Sequence, residues 1–255
     1  GINILYGDNA QGKTNILEAI YIAGTTKSHR GSKDKEIIRF GAEECHIRAD
    51  IYKNQMNRRI DMHLKKGKSK GAAIDMIPIQ KSSQLLGMMN MVFFSPEDLS
   101  IIKSGPAERR NFMDMELCQL DKIYVSHLSN YKKVLDQRNN LLKQIGFDKK
   151  KMDILPVWNE QLVKYGIEII KKRNHFIDLI NEIIPAIHNN LTSGKEHLNL
   201  VYEKNVEEKD FSIVLDEKQE MDLRYQTTQI GPHRDDIAFL IEGMDVRKFG
   251  SQGQQ

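Results

Sequence analysis

The chain has 255 residues, of which 40% are hydrophobic and 29% charged, with a formal net charge of only +3. Such a chain can bury a full core, and so small an excess of charge excludes a surface that attracts nucleic acid everywhere, so any such binding needs a local basic patch. No apolar run approaches the roughly 20 residues that cross a bilayer, no signal peptide is present, and Cys45 and Cys118 are far apart without metal-ligand spacing; the expectation is a cytoplasmic protein with reduced thiols and no membrane partner.

Residues 2–6 read as a β-strand that runs into a glycine-rich turn, and a helix is expected from Lys13 to about Ala23 with Ile16, Leu17 and Ile20 on one face. Three or four short strands are expected next, one with Ile47, Ala49 and Ile51 alternating with polar residues and another with Ile60, Met62 and Leu64. A turn with four lysines, Lys65, Lys66, Lys68 and Lys70, comes next, and a further short strand is expected at Met91–Phe94 before Ser95-Pro96. From Pro106 to Ile145 the chain has no proline or glycine beyond its first residue, and Tyr124, Leu128, Tyr131, Leu135, Arg138, Leu142 and Ile145 recur at alternating spacings. Trp158, Leu162, Tyr165, Ile169, Lys172, Phe176, Leu179, Ile183 and Ile187 do the same. This is the repeat of about 3.5 residues found in helices that pair along a seam, although two amphipathic helices packed on a globular core would produce a similar pattern. Gly146–Pro156 is short enough to make the pair antiparallel, and at 1.5 Å per residue each helix reaches roughly 45 Å. Strand-like sequence returns at Leu198–Tyr202 and Ile237–Ile241.

The expected organisation is therefore an α/β protein with a helical hairpin inserted into it. Residues 1–105 form the first part of a head, 106–195 the coiled-coil-like arm, and 196–255 the return to the head. The chain begins on an apolar segment without an initiator methionine and stops at Ser251-Gln252-Gly253-Gln254-Gln255, which reads as a piece of a longer protein.

Gly7-Asp8-Asn9-Ala10-Gln11-Gly12-Lys13-Thr14 fits G-x-x-x-x-G-K-[ST] between a strand and a helix. Gly7 and Gly12 let the loop curl so that its backbone N–H groups converge on phosphate oxygens. Lys13 reaches the β- and γ-phosphates, the Thr14 hydroxyl ligates Mg²⁺, and the helix beginning there adds its positive end. The loop calls for ATP and Mg²⁺ as cofactors. At the far end Ser251, Gly253 and Gln254 resemble the L-S-G-G-Q signature of ABC ATPases, a second phosphate site that serves the γ-phosphate held by another subunit. No hydrophobic strand ending in Asp-Glu is present, so the carboxylates that activate water are expected beyond Gln255.

Together with these motifs, several strings carry a nearly end-to-end resemblance to the RecF family of bacterial recombinational repair ATPases, relatives of the SMC-type heads. The loop continues into Asn15 and Leu17-Glu18-Ala19. Further strings are Thr26-Lys27-Ser28-His29-Arg30, Val92–Leu99, Pro106–Arg110 with Asp114, Gly231-Pro232-His233-Arg234-Asp235-Asp236, and Ser251–Gln255. The resemblance implies a P-loop ABC-type ATPase head that forms an ATP-dependent homodimer. It implies binding to double-stranded DNA near single/double-strand junctions, work with the RecO and RecR proteins to load the RecA recombinase, and slow hydrolysis that times release. The alternative is an SMC-like tether or partner-binding head without direct DNA contact, against which the shortness of the hairpin argues.

Single residues carry further expectations. In place of the Mg²⁺-sensing Gln of many ABC ATPases the chain has Ser95-Pro96-Glu97-Asp98, so Glu97 or Asp98 takes that role. Arg30 is either a contact to nucleotide or a surface arginine. Lys65, Lys66, Lys68 and Lys70 are either DNA-phosphate contacts or a solvated tip. Arg109 and Arg110 open a helix where positive charge opposes the dipole, which calls for a partner, DNA or a carboxylate. His233 is either a switch or a packed turn residue.

Overall fold

The computed structural model describes residues 1–251, apart from the side chains of Glu97, Leu99 and Ser100. The chain divides into two compact units, one made of 1–93 with 118–122 and the other of 94–117 with the residues from 123 onward.

In the first unit, α1 (Lys13–Thr25) is followed by the short α2 (Asp34–Ile37) and by four antiparallel strands in sequential order: β1 (Glu44–Lys53), β2 (Met56–Lys65), β3 (Gly71–Ile74) and β4 (Ile77–Pro78). Two of the hairpins close through two-residue turns with both residues at positive φ, Asn54-Gln55 at 53° and 62° and Asp75-Met76 at 49° and 67°. That backbone twist matches the twist of the strands it joins. Alternation holds: Ile60, Met62 and Leu64 pack with Ile22, Ile38 and Leu85, and Cys45, Ile47, Ala49 and Ile51 lie against them.

Two expected strands do not form. Residues 2–6 are irregular, with Ile2, Ile4 and Tyr6 exposed, and so is Met91–Phe94. A strand exists only by sharing hydrogen bonds, and neither segment has a ladder partner among the described residues. The expected face of α1 also differs: Ile16, Leu17 and Ile20 are largely exposed, whereas Ile22 and Ala23 are fully buried.

The second unit holds α3 (Pro106–Leu120, whose last residues belong to the first unit), α4 (Lys122–Ile145) and the 38-residue α5 (Leu155–Thr192). They are followed by β5 (Leu198–Glu203), α6 (Phe211–Glu217), α7 (Gln219–Tyr225), β6 (Asp236–Ile241), β7 (Met244–Asp245) and α8 (Val246–Phe249). β6 lies between β5 and β7 in a small antiparallel sheet. The α4 seam follows the expected repeat at Tyr124, Leu128, Tyr131, Arg138, Leu142 and Ile145, but Val134 is buried in place of Leu135, which is only half-buried. On α5 the buried stripe is displaced to Leu155, Asn159, Leu162, Gly166, Ile169, Arg173 and Ile177, while Leu179, Ile183 and Ile187 are exposed. Gly166 explains the displacement. A Cβ there would stand 2.5 Å from the Phe211 ring and 3.0 Å from that of Tyr131, so α6 and α4 close onto bare backbone.

Two arginines sit in these seams. Arg138, fully buried, donates to Asp222 at 2.7 Å, Asn159 at 2.8 Å and Thr228 at 2.8 Å. Arg173 donates to Asp114, to Asp235 and to the Pro232 carbonyl. Breaking one half of such a pair leaves a buried charge without its counterion. Arg138→Met is therefore expected to destabilise the second unit by about 3–5 kcal/mol, and Arg138→Met with Asp222→Leu to recover part of that stability, both read by urea unfolding.

Candidate phosphate-binding loop and its surroundings

The loop Gly7–Gly12 is shaped by its dihedrals. Gly7 (φ 139°), Ala10 (φ 64°) and Gly12 (φ 86°, ψ 7°) all occupy the left-handed half of the map. No atom lies within 4 Å of a Cβ built on Gly7 or Gly12, so conformation and not crowding selects glycine. The helix starts at once, with Ile16 N donating to Gly12 O at 3.1 Å. Lys13 Nζ turns back to donate to Gly7 O at 2.7 Å and Asp8 O at 2.6 Å, which places the ammonium at the mouth of the loop. Asp8, Asn9, Gln11, Thr14 and Asn15 are exposed around it. The cradle is thus a ring of backbone with one cation over it and the N-terminus of a 13-residue helix beneath, a geometry suited to an anionic phosphate chain. The Thr14 hydroxyl, a hard oxygen donor in the first turn, has the chemistry Mg²⁺ takes.

One turn along α1, the buried Glu18 accepts a hydrogen bond from Ser28 Oγ and faces Arg30 Nη1 at 3.9 Å. Arg30 is therefore carried on the same helix flank as the loop, while its side chain stays 43% exposed. His29 packs against Tyr21 and Phe93.

The other expected site residues fare differently. Ser251 is exposed after α8 and Gly250, whereas Gly253 and Gln254 lie outside the described residues, as does the Glu97 side chain. Asp98 is spent locally, accepting from Ser95 N at 2.6 Å to cap its own 3₁₀ turn. Lys65 pairs with Glu44 at 3.1 Å, Lys66 with Glu43 at 3.4 Å and Lys70 with Asp34 at 2.9 Å. Among the described residues Lys68 alone of the four makes no ion pair, and it is exposed. Arg109 is 2% exposed, forks onto Asp236 at 2.6 and 3.0 Å, and donates to Ser104 O at 2.6 Å, so of the two partners expected for it a carboxylate is the one in place, which argues against a DNA contact. Arg110 is half-buried on the Asp235 carbonyl at 2.7 Å, which likewise argues against a phosphate contact.

The string Gly231–Asp236 is a structural hub. Gly231 has φ 132°, and a Cβ there would stand 2.5 Å from Tyr131 Oη. Asp235 accepts from Arg173, Tyr202 and Asn205 N, and Asp236 from Arg109 and Arg247. His233 Nε2 lies 3.0 Å from the Thr228 carbonyl, so it carries the proton, and Nδ1 accepts from Tyr131 Oη at 2.7 Å. Only a network of sequence-distant contacts shows this.

Comparison with known proteins decides the family. The family described as an AAA domain matches residues 1–229. The DNA replication and repair protein RecF of Lachnoclostridium phytofermentans is 60% identical over 253 residues, 99% of this chain and 70% of that protein. The chain belongs to the RecF family. The RecF of Agathobacter rectalis is 58% identical and that of Clostridium botulinum 43%, again over 70% of their lengths. The solved recombination mediator protein RecF-ATP of the RecFOR pathway superposes with a TM-score of 0.95 at 34% identity, covering all of this chain and 70% of that one. A second RecF structure of that pathway gives 0.90 at 35%, covering 98% and 70%. The α/β P-loop ATPase fold is thus common to this chain and solved RecF. No described helix is long and apolar enough to cross a membrane.

Burial, with Arg234, Arg110 and Arg138 nearby, lowers the His233 pKa from 6.5 to about 4. The folded value is below the unfolded one, so on acidification the unfolded chain takes up the proton first. The stability His233 contributes is full above pH about 6.5 and declines toward pH about 4, by up to about 3 kcal/mol. Urea unfolding across that window is expected to show this slope in the native sequence and a flatter one in His233→Gln.

Proposed function

We propose that this chain binds ATP on the Gly7–Asn15 loop, with Thr14 as a ligand of the accompanying Mg²⁺, and uses the nucleotide to gate work on DNA in recombinational repair. The observation that carries the reading is the loop itself: three left-handed residues curl its backbone, and Lys13 stands over it at 2.6–2.7 Å from two of its carbonyls. Those carbonyls are weak partners for an ammonium, and phosphate oxygens replace them with full charge complementarity. The ATP named with a solved RecF supports the same nucleotide here.

Beyond nucleotide, the reading follows the family. Two heads pair around ATP so that Ser251, Gly253 and Gln254 of one meet the γ-phosphate on the other, with 106–195 as an arm on the head formed by 1–105 and 196–255. The dimer holds duplex DNA near a single-strand junction and works with RecO and RecR, and slow hydrolysis releases it. The DNA contact falls to the lysine turn. Lys68 carries the uncompensated charge, and Lys65, Lys66 and Lys70 exchange carboxylate partners for phosphates. That exchange weakens each contact, because the internal ion pair must first be given up.

Two measurements test this. Lys13→Ala is expected to weaken ATP binding at least tenfold, about 1.4 kcal/mol, by calorimetry, and unchanged affinity would remove the loop from the assignment. Replacing Lys65, Lys66, Lys68 and Lys70 together is expected to weaken duplex binding at every sequence and to flatten the slope of log affinity against log salt by roughly 0.9 for each phosphate no longer neutralised. Lys68→Ala alone should account for the first such step in the slope; an unaltered slope in both variants makes the turn a solvated tip.

A further inference from the structure

The exposed face of the β1–β2 ribbon is built of rungs. Glu44 stands opposite Lys65 and Arg48 opposite Asp61, and these two rungs neutralise themselves across the strands, whereas Arg59, opposite Asp50, pairs with Asp61 at 2.8 Å. The ion pairs measure 3.1 Å for Glu44–Lys65 and 2.9 Å for Arg48–Asp61. The rung between these two ion pairs is different. His46 lies opposite His63 with the rings stacked 4.2 Å apart and 6° from parallel, and neither is a charge complement of the other.

That rung has a carboxylate at its side. His63 Nε2 is 3.1 Å from Glu44 Oε2, and one donor atom from each of Glu44, His46 and His63 lies within 4.8 Å of the other two. The flank toward β3 is open, because His63 pairs with Gly71, which has no side chain to fill the space. All three residues sit on strands locked in a ten-residue register, so the donors are brought together by the sheet and not by ordering a loop.

We propose that Glu44, His46 and His63 bind a divalent transition metal of zinc's class. Two imidazole nitrogens and one carboxylate oxygen form the mixed set that suits Zn²⁺, Ni²⁺ or Cu²⁺, not the all-oxygen set that Mg²⁺ or Ca²⁺ requires. With metal–nitrogen distances near 2.1 Å, tetrahedral binding needs donors about 3.4 Å apart, which requires the two imidazole rings to turn out of their parallel stack until their nitrogens converge on the ion. Three protein ligands on an exposed face leave a coordination position open to water or to a ligand from another molecule. Lys65 works against the metal: its ammonium holds the same Glu44 oxygen at 3.1 Å.

The test is calorimetric titration of the intact chain with Zn²⁺ alone, followed by Co²⁺ absorption spectroscopy to read the ligand set. One site is expected, with nitrogen–oxygen cobalt bands. His46→Ala, His63→Ala and Glu44→Gln should each weaken it by at least about tenfold, the effect that even an outer-shell partner has. Lys65→Ala should tighten it, because a competing cation is removed, and no merely structural role for these histidines produces that gain. Cys45→Ser, on the opposite face of β1, should leave it unchanged. Zinc affinity that survives both histidine substitutions, cobalt bands showing sulfur ligation, or weaker binding in Lys65→Ala would overturn the proposal.

Discussion

Within the second unit, the guanidinium of Arg173 is the point to which the other elements are tied. It comes from α5 and is 3% exposed, and its donors go to Asp114 of α3, to Tyr124 of α4, to the Pro232 carbonyl and to Asp235 at the edge of β6. Burial alone would penalise that charge, but the carboxylates of Asp114 and Asp235 more than offset it, and the arginine's pKa is held above its ordinary value. A buried ion pair adds little net stability compared with an apolar core of the same volume, because both charges are stripped of water. Its effect is geometric. An apolar contact survives a slip along the helix, whereas a forked guanidinium with fixed acceptors does not. Arg138 acts in the same way from α4, fixing that helix against α7 through Asp222 and against α5 through Asn159.

The Gly231–Asp236 string gains its meaning from those arginines. Its glycine admits the Tyr131 hydroxyl, its proline carbonyl and first aspartate receive Arg173, its histidine bridges Tyr131 and Thr228, and its second aspartate receives Arg109 and Arg247. This run of polar residues holds helices to a sheet. Asp235 shows this most directly. Fully buried, its carboxyl is raised above the usual range by desolvation despite the partners it accepts from.

These arrangements explain how far the sequence could be read. The P-loop is legible because its function is local: glycine dihedrals, one lysine and a helix start all lie within a few adjacent residues. The β1–β2 hairpin is legible because alternation encodes which face is buried. The seam on α5 escapes apolar periodicity because Gly166, Asn159 and Arg173 do not count as apolar, yet they are what the partners pack on or bond to. Arg109 is half legible, since the unfavourable charge at a helix start calls for a partner but does not say which one. Residues 2–6 mislead for another reason: β-favouring composition states what a segment can do, while a ladder needs a second strand.

The phosphate loop obeys a different logic from the rest of its unit. α1 is held at its C-terminal end, where Ile22, Ala23 and Thr25 are buried and Gly24 lies against Met89 and Met91, while its first turns are exposed. The loop ahead of it therefore has almost no packing to define it. What defines it is the cost of alternatives: Gly7 and Gly12 sit in dihedrals that other residues resist, and Lys13 is bonded to carbonyls of the very loop it follows. Glu18, one turn further on, connects α1 to Ser28 and Arg30. A phosphate would compete with the Gly7 and Asp8 carbonyls for Lys13. The loop is thus tied down by exchangeable polar contacts of Lys13 and not by core packing.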